Sequence, residues 1–455
     1  MAEGSPAPGG RLLFNVNLLF LTQIATYALR FLLSVIIARG LGPGGRGDYA
    51  LFILSTSLLA SVGTMGVGLG SMYHIGKGRY GVRVLLGNSQ FLVLVVGSLA
   101  SLVILVLGLT IDPSAFVPLS SFWLYVLALP AMLEFLLLTA LLVGQGRFVG
   151  LNVAALSQAL MGLVGAAVLY ALDDLTLFSL LTVWGASYLA ASIIALAFLG
   201  YHNWSLRAAL RPDVGALREQ VGTGLPGQAG NVLQFLNYRL DQFVVRGLGT
   251  RSDVGRYAVA VGLSETVWWI ANAVSMALLP RLTRMESDKG AEVAATACRN
   301  TLVLAAAAAG GLGAVAPLAV PILFGDAFSS AVRAVFWLIP GIIFLSGAKV
   351  LSSYIFSQGK MALNSVIALT TFAATLLFDF LLIPPFGIAG AAAASSIAYT
   401  LTFVLGLVFY QRLSGRSFLT CLLPRTSDLK LYMDLAKRAR HWVSPGALAG
   451  GRSQG

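Results

Sequence analysis

Long apolar blocks alternate with short polar connectors along most of the chain. A helix needs about 20 mostly apolar residues to cross a membrane, and about twelve stretches meet that requirement. They are 13–38, 47–72, 86–110, 117–143, 150–171, 176–200, 222–247, 254–280, 298–323, 331–357, 361–384 and 388–411. The pattern predicts an all-α polytopic membrane protein with about twelve transmembrane helices and no inserted soluble domain.

One short phrase occurs twice, about half the chain length apart. The sequence reads Arg39-Gly-Leu-Gly and then Gly47-Asp-Tyr-Ala; later it reads Arg246-Gly-Leu-Gly and then Gly255-Arg-Tyr-Ala. The duplication predicts two repeats. Because each half holds an even number of predicted helices, both halves start on the same side of the membrane. We therefore predict two parallel six-helix repeats, related by an axis along the membrane normal.

The repeat and the apolar blocks together divide the chain. We predict a cytoplasmic N-terminal segment at 1–12, an N-terminal six-helix lobe at 13–200, a cytoplasmic linker at 201–221, a C-terminal six-helix lobe at 222–411 and a basic cytoplasmic tail at 412–455. The linker is the longest connector between predicted helices, and it falls where one half ends and the next begins.

Composition and charge agree with a membrane protein. Hydrophobic residues make up 57% of the chain and charged residues 11%, too few charges for a soluble protein of this length. With the N-terminus inside, most Lys and Arg residues fall in inner connectors and in the tail, which predicts that both termini are cytoplasmic. The net charge of +12 follows mainly from this topology and indicates no nucleic-acid partner.

The tail carries its own pattern. From Asp428 to Trp442, helical spacing places Leu431, Leu435 and Trp442 on one side and the basic residues elsewhere. This pattern is typical of an interfacial helix attracted to anionic membrane lipids. A disordered basic tail explains the same composition, and both interpretations stay open.

The sequence predicts no enzyme. It contains no Walker A phosphate-binding motif, and its three histidines, His74, His202 and His441, are scattered. Its two cysteines, Cys298 and Cys421, have no metal-ligand spacing. We therefore expect no catalytic residues and no cofactor other than a coupling ion, Na⁺ or H⁺.

Ionisable residues within predicted membrane helices are costly and usually face protein or water. Each can serve a structural role, such as a buried pair, or a functional one. The residues concerned are Arg30, Glu134, Arg239, Asp241, Glu265, Lys349 and Asp379.

The repeat aligns two of these arginines. An offset of 207 places Arg30 opposite Asn237, one short turn from Arg239. Guanidinium groups are permanently charged and bind phosphate through two hydrogen bonds, so this pair suits an anionic substrate. We predict substrate binding by Arg30, Arg239 and Asn237, with Glu265 as a proton carrier facing the same central cavity.

A second set of polar residues lies at matched depth on three helices. Asp241, Asp379 and Ser395 are each several residues from the predicted outer membrane boundary, and Thr375 is one turn from Asp379. Such oxygen ligands can hold Na⁺, with Asp241 and Asp379 as its carboxylates, or share a proton. Alternatively, each aspartate pairs with a nearby arginine or backbone amide.

Several phrases carry a family resemblance. They begin at Ala38-Arg-Gly-Leu-Gly-Pro, Arg239-Leu-Asp241, Leu323-Phe-Gly-Asp-Ala-Phe and Asp379-Phe-Leu-Leu-Ile-Pro. In this order they resemble the multidrug/oligosaccharidyl-lipid/polysaccharide exporter superfamily and, within it, the O-antigen and exopolysaccharide flippase branch. The resemblance implies a V-shaped, two-lobe transporter of the bacterial cytoplasmic (inner) membrane. It also implies that undecaprenyl-diphosphate-linked oligosaccharide is moved to the outer leaflet by cation-coupled alternating access.

The resemblance also bears on the cation site. In the related lipid II flippases, helices seven, eleven and twelve form a sodium site, and Asp241, Thr375, Asp379 and Ser395 fall on the matching helices here. The position of Asp379 is commonly Asn in the sugar-flippase branch, and the extra carboxylate favours a proton as the coupling ion.

Two other functions stay open. One is a cation-coupled multidrug exporter of the same fold, whose cavity should be lined by acidic and aromatic side chains rather than by arginines. The other is a non-transporting subunit of a polysaccharide assembly complex. Expected partners are lipid-linked oligosaccharide, membrane lipids, a polysaccharide polymerase and glycosyltransferases.

Overall fold

The computed structural model describes residues 8–110 and 123–423, together with Arg425 and Asp428. Within these residues the chain forms helices and no strand. The α-helices are α1 Pro8–Gly63, α2 Val67–Gly76, α3 Val82–Leu92, α4 Ser98–Thr110, α5 Tyr125–Gly144, α6 Phe148–Ala171, α7 Leu177–Leu199, α8 Leu206–Leu210, α9 Val214–Leu248, α10 Arg251–Ser264, α11 Trp268–Leu282, α12 Ser287–Phe324, α13 Ala331–Ser357, α14 Met361–Phe386, α15 Ile388–Ser414 and α16 Leu419–Leu422.

Nine helices in the described part of the chain are long and apolar enough to cross a membrane, and one of them consists of α3 and α4 joined by a π-helical turn at Val93–Gly97. The protein is therefore a multi-pass membrane protein, while the number twelve stays a prediction. Helix α9 is not among the nine, because glutamine, asparagine, glycine and proline interrupt its apolar residues. The residues 111–122 and most of the tail predicted as an interfacial helix lie outside the described residues.

Helix α1 contains the first predicted span and most of the second. The predicted connector between 38 and 47 is a kink within this helix, at Gly42, whose φ of 64° and ψ of −175° are not helical. Glycine reaches this backbone conformation without a steric penalty, and the following Pro43 lacks the N–H that a continuous helix would use. The helix then ends at Gly63, earlier than the predicted 72.

Helix α9 begins at Val214, whereas the sequence predicts a start at 222. Asp213 caps this end, because its side chain accepts a hydrogen bond of 2.9 Å from the backbone N–H of Ala216. The predicted linker 201–221 is thus helical in its last third.

The described residues form two compact units. The first contains the residues up to Leu263, together with Gly313–Leu338 and Ala368–Ser395. The second contains Ser264–Leu312, Ile339–Ile367 and the residues from Ser396 onward. These units cut across the two predicted lobes, which stay a prediction.

Each unit has an aromatic interior. In the first unit Phe52 packs against Tyr125 and Trp184, with ring centroids 4.1 Å and 5.9 Å away. In the second, the rings of Tyr354 and Tyr410 lie 5.3 Å apart. Offset and edge-on ring pairs of this kind add about 0.5–1.5 kcal/mol each beyond the area that they bury.

Candidate functional site

Asp241 lies on α9 within the first unit and is only 2% exposed. Three donors contact its carboxylate. The Tyr257 hydroxyl donates to Oδ2 at 2.6 Å, the Ser395 hydroxyl donates to the same atom at 3.1 Å, and the backbone N–H of Gln242 donates to Oδ1 at 2.7 Å. Tyr257 belongs to α10 and Ser395 to α15, so three helices converge on one carboxylate.

Asp379 lies on α14 in the same unit and is fully buried. Neither of its carboxylate oxygens has a hydrogen-bond partner among the described residues. It interacts electrostatically with Asp241, which is a repulsion when both are ionised. A buried carboxylate without donors is costly, so Asp379 needs a proton or a cation to be stable there.

A second layer of polar residues lies one to two helical turns away. Asn237 precedes Asp241 by one turn on α9, and Thr371 and Thr375 precede Asp379 on α14. The Asn237 amide donates to the Thr371 hydroxyl at 2.9 Å, and the Thr375 hydroxyl donates to Asn237 Oδ1 at 3.2 Å. The two helices are therefore joined by a buried row of oxygen and amide groups.

The structure thus brings Asp241 and Ser395 into direct contact and places Thr375 one turn from Asp379. Asn237 is hydrogen-bonded to the threonines of this layer, and its predicted contact with substrate stays a prediction. Sequence reasoning missed Tyr257 and Thr371. The signals were available, because Tyr257 belongs to the duplicated phrase and Thr371 is one helical turn from Thr375.

The other three predicted substrate-binding residues stay predictions, and their surroundings differ. Arg30 is exposed on α1, and its guanidinium donates to Gln158 Oε1 at 3.5 Å. Arg239 is half-buried on α9, and it attracts the Asp241 carboxylate. Glu265 belongs to the second unit, where it starts a 3₁₀ turn at Glu265–Val267.

Two further intramembrane charges have structural contacts. Glu134 accepts a hydrogen bond of 2.6 Å from the Gln90 amide. Lys349 lies over the ring of Trp268, with its nitrogen 5.0 Å from the ring centroid, which is a cation–π contact. Both fit the structural interpretation.

The ligand set around Asp241 and Asp379 consists of carboxylate, hydroxyl and amide oxygens. Oxygen ligands are typical of hard cations, and soft transition metals prefer sulfur and imidazole. Because Asp379 has unpartnered oxygens in a dry interior, the residues fit either Na⁺ or a shared proton.

Long apolar helices around a pair of buried carboxylates define a polytopic membrane protein. The model of the family described as polysaccharide biosynthesis protein matches residues 12–286, and the chain belongs to this family. The family lies within the multidrug/oligosaccharidyl-lipid/polysaccharide exporter superfamily. No curated protein matches the sequence.

Solved structures show the same fold. An inward-facing multidrug resistance MATE family transporter of the MOP superfamily has a TM-score of 0.71 and 15% identity, covering 86% of this chain and 95% of that one. The lipid II flippase MurJ in an inward closed conformation has a TM-score of 0.69 and 14% identity, covering 87% and 90%. An outward-facing MATE family transporter has a TM-score of 0.61 and 15% identity, covering 89% and 97%.

Proposed function

We propose that this protein is a flippase for undecaprenyl-diphosphate-linked oligosaccharide in the bacterial cytoplasmic membrane, with both termini cytoplasmic. It moves its substrate from the inner to the outer leaflet by alternating access and so supplies O-antigen or exopolysaccharide assembly. The observation that carries this proposal is the match to the polysaccharide biosynthesis family over residues 12–286. The transporter fold, which a lipid II flippase shares, supports it.

The substrate is recognised through its diphosphate. Arg30 and Arg239 supply permanent positive charge from two membrane helices, and guanidinium binds phosphate oxygens in pairs. Glu265, in the second unit, serves as a proton carrier during transport. Outside the membrane, glycosyltransferases supply the lipid-linked unit and a polymerase consumes it.

Transport is coupled to Na⁺ or H⁺ as an antiport. Asp241 and Asp379 provide the carboxylates, and Ser395, Thr375 and Asn237 provide neighbouring oxygen and amide groups. A bound cation or proton would neutralise the buried charge of Asp379. Hydrogen bonds from Tyr257 and Ser395 orient and stabilise the Asp241 carboxylate without an ion. Asp379 lacks such donors among the described residues, so its carboxylate depends more on a bound ion for stability than that of Asp241 does.

Depletion of the protein from its host cell tests the proposal. The expected result is accumulation of lipid-linked oligosaccharide in the inner leaflet, measured as precursor inaccessible to a glycan-modifying enzyme added outside. Normal precursor export with increased drug sensitivity would instead indicate a multidrug exporter, which the likeness to MATE transporters makes the second candidate. Normal export with altered polymer length would indicate a non-transporting assembly subunit.

A further inference from the structure

A cavity of about 650 Å³ opens in the second unit, where α11 ends and α12 begins. Its lining is mainly apolar and includes Val274, Leu278 and Leu304. Two cationic residues, Arg281 and Lys289, line it as well. This volume falls within the range of about 300–1,000 Å³ typical of ligand sites.

The side chains that line this cavity carry more positive than negative charge. Glu292 lines the cavity but is ion-paired with Arg416 at 3.5 Å. Among the described residues, the ion-pair partner of Lys289 is the highly exposed Glu286, at 3.3 Å. Arg281 is exposed, and its guanidinium has no hydrogen-bond or ion-pair partner among the residues that the structure describes. An anion at this cavity would meet a guanidinium that no protein carboxylate neutralises.

The depth of the cavity in the membrane follows from the length of α12. This helix has 38 residues and is about 57 Å long, whereas the hydrocarbon core of a bilayer is about 30 Å thick. No charged residue occurs between Arg299 and Asp326, so that apolar part of the helix fills the hydrocarbon core. The preceding part, from Ser287 to Arg299, therefore lies among the lipid head groups.

We propose that this cavity binds a lipid with an anionic phosphate head group. The phosphate contacts Arg281 and Lys289, and a hydrocarbon chain lies against Val274, Leu278 and Leu304. A cavity at the boundary between head groups and hydrocarbon, with a mainly apolar lining and two cationic side chains, matches an amphiphile and gives free phosphate little to bind. A glycerophospholipid and a polyprenyl phosphate share this chemistry, so the proposal does not depend on the proposed function.

Native mass spectrometry of the full-length protein tests the site. The purified protein is titrated with phosphatidylglycerol, undecaprenyl phosphate, phosphatidylcholine and inorganic phosphate. We expect adducts with the two anionic lipids, the tighter one identifying the source of the head group. The double variant Arg281→Gln, Lys289→Gln should bind them at least about tenfold more weakly, because it removes the charge-assisted hydrogen bonds to the phosphate.

Two controls separate charge from shape. Arg284→Gln removes an exposed arginine that does not line the cavity and should leave binding unchanged. Ala297→Phe fills the cavity without changing its charge and should also weaken lipid binding. If Ala297→Phe does not fold, the charge variant alone decides.

Three outcomes would overturn the proposal. The first is lipid binding that neither the charge variant nor the filling variant changes. The second is inorganic phosphate that binds as tightly as the lipids, because the apolar walls would then contribute nothing. The third is lipid binding that occurs only after residues 429–455 are removed, which would show that the tail of the chain itself fills the cavity.

Discussion

Gly47 and Gly255, the matching glycines of the duplicated phrase, each pack against the other's helix in the first unit. A Cβ atom on Gly47 would lie 1.9 Å from the carbonyl oxygen of Arg251, and one on Gly255 would lie 2.0 Å from the carbonyl oxygen of Pro43. The adjacent Asp48 forms an ion pair with Arg251 at 3.4 Å. The phrase is therefore a reciprocal contact between α1 and α10, in which backbone touches backbone.

Gly47→Ala and Gly255→Ala should each separate these helices, because a carbonyl oxygen on a packed backbone cannot yield to a methyl group. We expect the free energy of unfolding in detergent to fall by about 1–3 kcal/mol, which is typical of overpacking, and the melting temperature to fall with it. Gly262→Ala is the matched control on α10, since a Cβ there meets nothing within 4 Å. Equal melting temperatures for all three variants would show that this contact does not support the fold.

Asp241→Asn combined with Asp379→Asn should abolish the Na⁺ or pH dependence of transport. Asparagine keeps the shape of each side chain but removes the charge that a cation or proton would neutralise. Transport of a lipid-linked oligosaccharide into vesicles, with an imposed Na⁺ or pH gradient, measures this dependence. Asp288→Asn, an exposed position on α12, is the control, and an unaltered ion dependence in the double variant would rule out the site.

Tyr257→Phe should weaken the site without touching a carboxylate. It removes the 2.6 Å hydrogen bond to Asp241, which contributes about 1.5–3 kcal/mol when the acceptor is charged. We expect a lower apparent affinity for the coupling ion, measured by ion titration of transport. The counterpart in the first repeat, Tyr49→Phe, should leave that affinity unchanged. If Tyr49→Phe lowered the ion affinity and Tyr257→Phe did not, the tyrosine that supports ion binding would be Tyr49 in the first repeat.

Arg30→Ala and Arg239→Ala should reduce surface glycan and leave lipid-linked precursor in the inner leaflet. Each removes one guanidinium from the proposed diphosphate site, and we expect a loss of at least about tenfold in transport rate. Lysine at the same positions should restore part of the rate, since charge remains but the paired hydrogen bonds do not. Arg333→Ala, an exposed arginine, is the control. Unchanged glycan output in the double variant would remove the anion-binding role.

A buried ion pair fixes the segment after α15 to the second unit. Arg299 donates to both oxygens of Asp428, at 2.5 Å and 2.7 Å, and the two residues are 3% and 4% exposed. Asp428→Ala should destabilise the protein by about 3–5 kcal/mol, because it leaves the arginine buried and unpaired. Replacing both partners, as Arg299→Met with Asp428→Leu, should recover much of that loss, whereas a double variant no better than the single one would contradict this account.

The same ion pair predicts a dependence on pH. The Arg299 guanidinium holds the pKa of Asp428 below its ordinary value, so the folded pKa lies below the unfolded one. The stabilisation is then fully present above the unfolded pKa, about 4, and is lost as the pH falls through the folded pKa. Melting temperatures of the wild type and Asp428→Ala should therefore converge only in strong acid. Convergence near neutral pH would contradict the pairing.

Hydropathy predicted where most of the long helices lie, and it missed the helix ends, the kink and the side-chain contacts that local packing determines. Apolar runs of membrane length identified the helices. Counting residues inward from the predicted membrane boundary placed Asp241 and Ser395 at similar depth, and the structure shows them hydrogen-bonded. Hydropathy could not show that α9 starts at Val214, because its first turns are polar, or that α1 continues through Gly42 as a kink. The duplicated phrase singled out Tyr257 as a repeated position, but it could not show that the Tyr257 hydroxyl points at Asp241.

The buried Asp379 carboxylate has no hydrogen-bond partner among the described residues, so an ion bound at the proposed site should raise the thermal stability of the protein. An ion that binds the folded chain and not the unfolded one raises stability by RT ln(1 + [L]/Kd), about 2.7 kcal/mol at a hundredfold excess over Kd. Melting curves recorded in NaCl, KCl and choline chloride at several pH values would then rank the ions directly. The coupling ion could thus be identified before any sugar substrate is in hand.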